Sequence, residues 1–176
     1  MEKLKICKVR NVETPKRAHD DDAGIDFWVP YNIDVDTFNS KCALTGDHVE
    51  YTLTDDGNIS KIILKPGESV LLPSGIKVKV PNGYMLQFTN KSGIAAKRHS
   101  IVGSSVVDVG YEGECHINLH NISNKNQEIN AGDKIVQAIL IPVNFAHVEV
   151  VGNETELFGD ECSARGNGGF GSTDAQ

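Results

Sequence analysis

Long apolar runs, an excess of basic residues and closely spaced cysteines are all missing from this 176-residue chain. No apolar stretch approaches the roughly 20 residues that a membrane-spanning helix needs. Lysine and arginine number 17 against 24 aspartates and glutamates, a formal net charge of −7, which disfavours binding to nucleic acid through bulk electrostatics. The four cysteines lie far apart, a spacing that favours free thiols in a reducing compartment over disulfides or a zinc site.

Helical periodicity is also scarce, and short alternating segments take its place. KLKICKV, EYTLT, ISKIILK, CHINLHN, KIVQAILIPV and HVEVV are typical of strands, and turn-forming stretches such as PSG, PNG, NKSG, GYEG and NAGD separate them. SGIAAKR alone has the composition for a turn or two of helix. The pattern predicts an all-β fold, either a barrel, a sandwich or a jelly roll.

The composition predicts one domain with two additions. With 39% hydrophobic residues, the chain can bury a core, and we expect a single β domain over residues 1–162. A more polar segment around residues 34–62 contains a DDGN hairpin turn and is interpreted as an elaboration of that domain. Residues 163–176 are rich in glycine and predict a flexible tail. Because the first ten residues are charged and alternate, we expect no signal peptide and a cytoplasmic location.

Two stretches contain groups suited to binding ions. Asp26, in AHDDDAGIDFWVP, stands where a strand begins, and a carboxylate there can hold a hard cation directly or through water. Lys91, Ser92 and Gly93 precede the segment with helical character, where backbone N–H groups, a lysine and a hydroxyl can bind an anion. The alternative for this second stretch is an N-capping serine beside a surface lysine.

Three further stretches allow a structural and a functional interpretation. In SSVVDVGYEGE, Asp108 is either a turn former or a general base, and Tyr111 is either a packed ring or a flat wall for a sugar. Gln137 shares the parity of neighbouring isoleucines, so it is either a satisfied core amide or a donor to a ligand. Arg165 and Phe170 belong either to a tolerant chain end or to a tail that closes over a flat anionic ligand.

Five short motifs follow one another in a fixed order, and together they resemble those of the homotrimeric dUTPases. They are AGID from Ala23, NKSGIA from Asn90, VVDVGYEGE from Val106, GDKIVQ from Gly132 and RGNGGFGST from Arg165. The resemblance implies a jelly-roll-like β fold and a homotrimer in which subunits share each active site. It also implies hydrolysis of dUTP to dUMP and pyrophosphate, by attack of water on the α-phosphorus, with Mg²⁺ as cofactor. This reaction limits uracil in DNA and supplies dUMP for thymidylate synthesis.

The resemblance further implies a role for each matching residue. Asp108 would be the general base, Tyr111 would pack on the deoxyribose, and Asp26 would hold magnesium through its waters. The backbone around Val106 and Val107 would read uracil. The remaining residues would contact phosphates or cover the substrate from the tail; they are Lys91, Ser92, Gly93, Gln137, Arg165 (for the γ-phosphate), Phe170 (for the uracil ring), Gly171 and Ser172.

Three features depart from the usual pattern of the family. Lys91 stands where an arginine is usual, which keeps the charge but loses the bidentate fork. The asparagine with which many members read uracil has no clear counterpart; Ser104 and Ser105 lie nearby, and Ser104 is predicted to contact the substrate. The segment from about Asp34 to Ser60 is longer than is usual for the family. These features resemble some viral members.

Three rival functions compete with dUTP hydrolysis. A dCTP deaminase has the same fold but needs a glutamate that moves protons on the base, and this chain has Asn118 at that position. A nucleotide-gated regulatory protein could retain dUTPase activity, so this alternative stays open. A β-sandwich that only binds other proteins would leave the spacing of Asp108, Ser92, Arg165 and Phe170 unexplained.

Overall fold

The computed structural model describes residues 3–46, 48–159, 163 and 166–168, and the chain divides into two compact units, Met1–Asn144 and Phe145–Gln176. Among the described residues there are eleven strands and three short helices. The strands are β1 (Lys5–Lys8), β2 (Ile25–Trp28), β3 (Glu50–Leu53), β4 (Ile59–Leu64), β5 (Ser69–Lys79), β6 (Tyr84–Asn90), β7 (Ser100–Val102), β8 (Val106–Val107), β9 (Glu114–Asn121), β10 (Gln127–Asn130) and β11 (Lys134–Pro142). The helices are α1 (Val35–Thr45), α2 (Ser92–Arg98) and α3 (Glu154–Phe158).

Three antiparallel sheets build the first unit. The strand orders are β1-β5-β9-β7, β2-β11-β6-β8 and, in the smallest sheet, β10-β4-β3. Strands consecutive in sequence are rarely neighbours, since β5 pairs with β1 and β9, and β11 pairs with β2 and β6. The all-β prediction is thereby confirmed, while the homotrimer that accompanied it stays a prediction.

The core lies between the inner faces of these sheets. Alternate residues of β9 are buried, as expected for a strand with one inner face, and Ile117 has no exposed surface. The rings of Phe27 on β2 and Phe88 on β6 meet edge to face with centroids 5.0 Å apart. Because β2 and β6 both flank β11, this aromatic pair links the two neighbours of β11 in the sheet that carries the candidate site.

Two strand boundaries differ from those that the sequence predicts. The stretch PSG does not separate two strands but lies within β5, where the register with β9 shifts between Pro73 and Lys77. Gly75 has a φ of 72°, which lets the strand bulge without ending. HVEVV, predicted as a strand, belongs to no strand among the described residues, although polar and apolar residues alternate in its sequence.

The polar segment around residues 34–62 contains the expected hairpin and a helix that the sequence did not reveal. β3 and β4 pair across DDGN as predicted. Helix α1 begins after Asp34, whose side chain accepts a hydrogen bond from the backbone N–H of Thr37 at 2.7 Å. Phe38 and Cys42 are its buried residues, so the apolar face is too narrow to produce a helical period.

The second unit is described over residues 145–159, 163 and 166–168. Helix α3 begins after Asn153, whose side-chain oxygen accepts a hydrogen bond from the N–H of Glu156 at 3.0 Å. Val148 and Val150 are 94% and 92% exposed. No helix in the described part of either unit is long and apolar enough to cross a membrane.

The bulge in β5 yields a test of the packing. A Cβ on Gly75 would lie 2.8 Å from Cγ1 of Val12 and 3.1 Å from Cγ of Pro30, in addition to requiring the left-handed φ. We expect Gly75→Ala to lower the free energy of unfolding by about 2–4 kcal/mol, from backbone strain and overpacking together. Gly57 is the matched control, since it has a φ of 78° and a Cβ there would meet no atom within 4 Å, and Gly57→Ala costs only about 1 kcal/mol. Equal urea midpoints for the two variants, at one protein concentration, would contradict the packing argument.

Candidate active site

The sheet β2-β11-β6-β8 carries the candidate residues of four motifs. Its central strand β11 places Gln137 opposite Asp26 of β2 on one side and opposite Thr89 of β6 on the other. The chain leaves β6 at Asn90 and enters Lys91 directly. One end of this sheet therefore brings together residues that are far apart in the sequence.

Asp26 is the buried carboxylate at that end, and it has two cationic partners. It is 4% exposed; the Lys91 ammonium donates a hydrogen bond to its Oδ1, and the Lys134 ammonium lies 2.8 Å from its Oδ2. Burial acts to raise the pKa of Asp26, but the hydrogen bonds and charges of Lys134 and Lys91 outweigh burial and hold that pKa below its ordinary value. Asp26 is therefore an ionised group with a cation on each oxygen.

This arrangement does not fit a magnesium ligand. Mg²⁺ keeps several waters and binds through carboxylate oxygens that those waters or the ion can reach. Both oxygens of Asp26 face ammonium groups, and its side chain is 5% exposed. Among residues 3–46, 48–159, 163 and 166–168, no group of three or more His, Cys, Asp or Glu side chains could hold a metal ion. The metal role of Asp26 stays a prediction, and the surroundings of this residue do not support it.

Gln137 is held by the backbone of β6 and by the absence of a side chain at Gly24. Its Nε2 donates a hydrogen bond to the carbonyl oxygen of Asn90 at 2.9 Å. A Cβ on Gly24 would lie 2.1 Å from Oε1 of Gln137, so the amide occupies space that only glycine leaves. The side chain of Asn90 in turn accepts a hydrogen bond from the N–H of Val102 at 2.7 Å. Gln137 is thus oriented through one end of its amide.

The stretch from Lys91 to Gly93 differs from the capping alternative. Lys91, not Ser92, is the N-cap residue of α2, and its side chain makes no capping hydrogen bond because it reaches Asp26. Ser92 and Gly93 are exposed, and no atom lies within 4 Å of a Cβ built on Gly93. The lysine is therefore part of the buried ion pair, while the serine and glycine face open space.

The hairpin after β8 presents Asp108 and Tyr111 at the surface. The N–H of Tyr111 donates to the carbonyl oxygen of Asp108 at 3.1 Å, which closes the turn. The Tyr111 hydroxyl donates to the carbonyl oxygen of Glu114 at 2.9 Å, and a Cβ on Gly113 would lie 2.4 Å from that hydroxyl. The ring is thereby fixed over Gly113 with 44% of the residue exposed.

Residues 104–107 connect this hairpin to the sheet. Ser104 is exposed, and its N–H donates to Oδ1 of Asn118 at 3.3 Å. Val106 is 54% exposed, whereas Val107 is buried opposite Leu86 of β6. Val106 is thus the more accessible of the two valines, and the sheet holds both in place.

Sequence reasoning missed Lys134, Arg10 and Glu114. Lys134 lies in the GDKIVQ stretch, three residues before Gln137. A positive charge in the same motif as that glutamine was the sequence feature that could have pointed to it. Arg10 and Glu114 are 104 residues apart, and their side chains pair at 2.9 Å with 16% and 14% exposure. Glu114 also accepts the N–H of Gly75 at 2.7 Å, and Arg10 lies 3.5 Å from the N-cap carboxylate Asp34. This network links the base of the Tyr111 hairpin to the start of α1.

The structure does not bring the hairpin and the Asp26 end together within one chain. Val107 lies opposite Leu86, near the start of β6, whereas Ser92 follows the other end of that strand. Leu86 and Asn90 are four residues apart in β6, about 13 Å of strand, and Asp108 and Ser92 lie beyond these two residues at opposite ends. Arg165, Phe170, Gly171 and Ser172 lie outside the described residues.

Comparison with known proteins identifies the family. The family model for dUTPase matches residues 58–174. The chain belongs to the dUTPase family. The deoxyuridine 5'-triphosphate nucleotidohydrolase of Wolbachia pipientis subsp. Culex pipiens (strain wPip) is 39% identical over 125 residues, which cover 70% of this chain and 76% of the relative. The enzyme of the same description from Desulfotalea psychrophila is 38% identical over 112 residues, covering 62% and 71% of the two chains.

Solved dUTPase structures share the fold. A mutant of the Staphylococcus bacteriophage 80alpha dUTPase, solved with dUpNHpp, has a TM-score of 0.71 at 21% identity and covers 98% of this chain and 99% of its own. A mutant dUTPase from phage phi11 of S. aureus, described with a structural Mg(II) ion, has a TM-score of 0.65 at 20% identity and covers 86% of this chain and 98% of its own. The dUTPase fold expected from the five motifs is therefore confirmed.

The partly buried Arg10–Glu114 pair yields a second test. Removing the guanidinium leaves a carboxylate with little solvent, so we expect Arg10→Met to lower the free energy of unfolding by about 1–3 kcal/mol. The control is Lys61→Met, which removes the exposed partner of Glu128 and costs less than about 1 kcal/mol. Hydrogen exchange gives the second measurement, and it should show faster exchange at the N–H of Gly75 and around Tyr111 in Arg10→Met only. Equal effects of the two substitutions would mean that the network does not support the hairpin.

Proposed function

We propose that this dUTPase-family chain hydrolyses dUTP to dUMP and pyrophosphate. The observation that carries the proposal is the family match over residues 58–174, which spans the second to the fifth motif. The physiological outcome would be less uracil in DNA and a supply of dUMP for thymidylate synthesis, in the cytoplasm. Magnesium would be the cofactor, as membership of the family suggests, and the described residues contain no cluster of three or more His, Cys, Asp or Glu side chains that could hold it without the substrate.

The protein's own side chains divide the work of this reaction. Asp108 would accept a proton from the water that attacks the α-phosphorus, and the exposed position of this carboxylate leaves it accessible to that water. Tyr111, fixed over Gly113, would form the wall against which the deoxyribose packs and which excludes a 2′-hydroxyl. The backbone near Val106 would read uracil. Together these groups would place the sugar and base so that the α-phosphorus lies beside Asp108.

A second set of groups would hold the triphosphate. Ser92 and Gly93 face open space at the start of α2, and Gln137 lies on the adjacent strand with its amide oriented by Asn90. Lys91 and the tail residue Arg165 would add positive charge at the phosphates. Phe170, Gly171 and Ser172 would cover the substrate from the tail.

We propose further that the protein is a homotrimer and that neighbouring subunits share each site. Asp108 and Ser92 lie beyond opposite ends of a stretch of β6 about 13 Å long, too far for one dUTP to engage both with its α-phosphate region. A hairpin from one subunit facing the Ser92 end of another removes that difficulty. HVEVV alternates like a strand but pairs with none in the described residues, and its Val148 and Val150 are exposed, as expected for a segment that packs on a second copy.

Deamination of dCTP fits the structure less well. Asn118, at the position where a deaminase needs a glutamate, has its Oδ1 2.7 Å from Nε2 of His120. Its Nδ2 lies 3.5 Å from the carbonyl oxygen of Val70. An amide cannot shuttle protons as a carboxylate does, and this one has partners on both ends.

A substrate panel tests the reaction. With magnesium present, we expect pyrophosphate release from dUTP and at most about a hundredth of that rate from dCTP, dTTP and UTP. Asp108→Asn should lower kcat by about 10³-fold or more while the affinity for a non-hydrolysable dUTP analogue stays within a few-fold. Normal turnover by Asp108→Asn would contradict the assignment of Asp108 as the base. A preference for dCTP with release of ammonia would indicate deamination instead of hydrolysis of dUTP.

Mixed trimers test the shared site. Asp108→Asn and Ser92→Ala chains are refolded together in equal amounts, and turnover is compared with that of each variant alone. If the two residues come from different subunits, about one quarter of the mixed sites are intact, so activity should rise to about a quarter of the wild-type value. If both belong to one chain, mixing restores nothing. Wild-type chains mixed with either variant control for refolding yield.

A further inference from the structure

The carboxylate of Asp26 is where three separate motifs meet. Asp26 belongs to AGID, Lys91 to NKSGIA and Lys134 to GDKIVQ. Each lysine uses a different oxygen of the one carboxylate, Lys91 the Oδ1 and Lys134 the Oδ2. The contact joins the start of β2, the end of β6 and the start of β11.

The exposure of the three side chains is graded. Asp26 is 5% exposed, Lys91 24% and Lys134 40%. The anion is thus enclosed, while both cations retain a face toward solvent. Two ammonium groups drawn to one carboxylate leave one positive charge in excess, so the cluster can still attract an anion on its open side.

Lys134 is positioned by more than the carboxylate. A bulge interrupts the pairing of β11 with β2 between Lys134 and Val136, and the extra residue, Ile135, is buried. The bulge sets Lys134 opposite Trp28, whose ring centroid lies 5.7 Å from its ammonium. Lys134 is therefore fixed between an aromatic face and a carboxylate, a more ordered position than a surface lysine has.

A purely structural ion pair does not require two lysines on one carboxylate. One lysine would neutralise one buried carboxylate, and a second ammonium adds repulsion that the carboxylate must offset. The extra cation becomes useful when a polyanion binds beside it, because the lysines are then already partly desolvated and oriented. Gln137 lies opposite Asp26 in the same sheet, so such an anion would also meet the amide.

We propose that Asp26 is a positioning residue that holds Lys91 and Lys134 as a paired cation site for the triphosphate, and that it is not a ligand of magnesium. The proposal rests on the proposed function, since the anion it names is the triphosphate of dUTP. It adds Lys134 to the groups that bind the substrate. The two possible roles of Asp26 affect different quantities. A positioning residue affects nucleotide binding without metal, whereas a residue that holds magnesium affects the concentration of metal needed for turnover.

The test measures both properties in Asp26→Asn, which keeps the shape of the side chain and removes its charge. Calorimetric titration with α,β-imido-dUTP in EDTA should show a loss of affinity of about tenfold, because the lysines lose their anchor. The free magnesium concentration that gives half-maximal turnover of dUTP should change less than about twofold. Unchanged metal-free binding together with a magnesium requirement raised tenfold or more would overturn the proposal.

Lys134→Met separates the two roles even if Asp26→Asn folds poorly. Loss of this lysine frees Oδ2 of Asp26, so an aspartate that binds magnesium should then need less metal. Our proposal instead expects weaker metal-free binding of the analogue, by about tenfold, and no gain in magnesium affinity. Lys16→Met is the matched control, because Lys16 lies 5.9 Å from the same Trp28 ring. This control should leave the metal-free affinity for the analogue within about twofold. An equal loss in the control would mean that any nearby positive charge has the same effect.

A background that lacks both lysines tests directly whether Asp26 acts through them. In a background that carries both Lys91→Met and Lys134→Met, adding Asp26→Asn should cause no further loss of metal-free affinity, since Asp26 acts only through the lysines. An additional loss there would overturn the positioning role. Absence of dUTP turnover and of analogue binding in the wild-type protein would instead refute the proposed function itself, so the two failures are distinguishable.

Discussion

The placement of β11 between β2 and β6 is the constraint on which the candidate site depends. Every described group at the Asp26 end lies on one of these strands or directly after it. Side chains alternate between the faces of a strand, so a slip of one residue would turn Gln137 away from Asp26 and toward the other face. The edge-to-face contact of Phe27 and Phe88 on the flanking strands, together with the buried residues of β11, opposes such a slip. Core packing thus fixes the register, and the register assembles the site.

The same sheet also limits what one chain can do. β8 pairs with Leu86 and Gln87 in the middle of β6, and the Asp108 hairpin continues toward the start of that strand, whereas Ser92 follows its end. The base of the hairpin is held by Glu114, which contacts Arg10 and the N–H of Gly75. Two groups of candidate residues at separate positions along β6 are compatible with an active site that several copies share.

Much of this could be predicted from the sequence, and the failures have physical reasons. Alternating segments and turn residues were sufficient to predict the all-β fold, because the alternation of polar and apolar residues is visible within each short segment. Helix α1 was missed because Phe38 and Cys42 are its buried residues, and the bulge at Gly75 is indistinguishable from a turn in the sequence because glycine serves both purposes. The motifs singled out Asp26, Lys91 and Gln137, whose roles stay predictions, but contacts between strands such as Arg10 with Glu114 depend on register, which no local pattern contains.

A lysine at position 91, where the motif resemblance implies an arginine, suits the way Asp26 divides its two oxygens. An arginine presents a planar fork that tends to occupy both oxygens of a carboxylate, whereas a lysine is a compact charge that needs only one. Asp26 shares its two oxygens between Lys91 and Lys134. A guanidinium at position 91 that took both oxygens would compete with Lys134 for Oδ2, and the bulge and the Trp28 ring would then hold Lys134 beside an occupied anion. Two lysines on one carboxylate are therefore a matched pair, and a change at either position alters the electrostatics of the other.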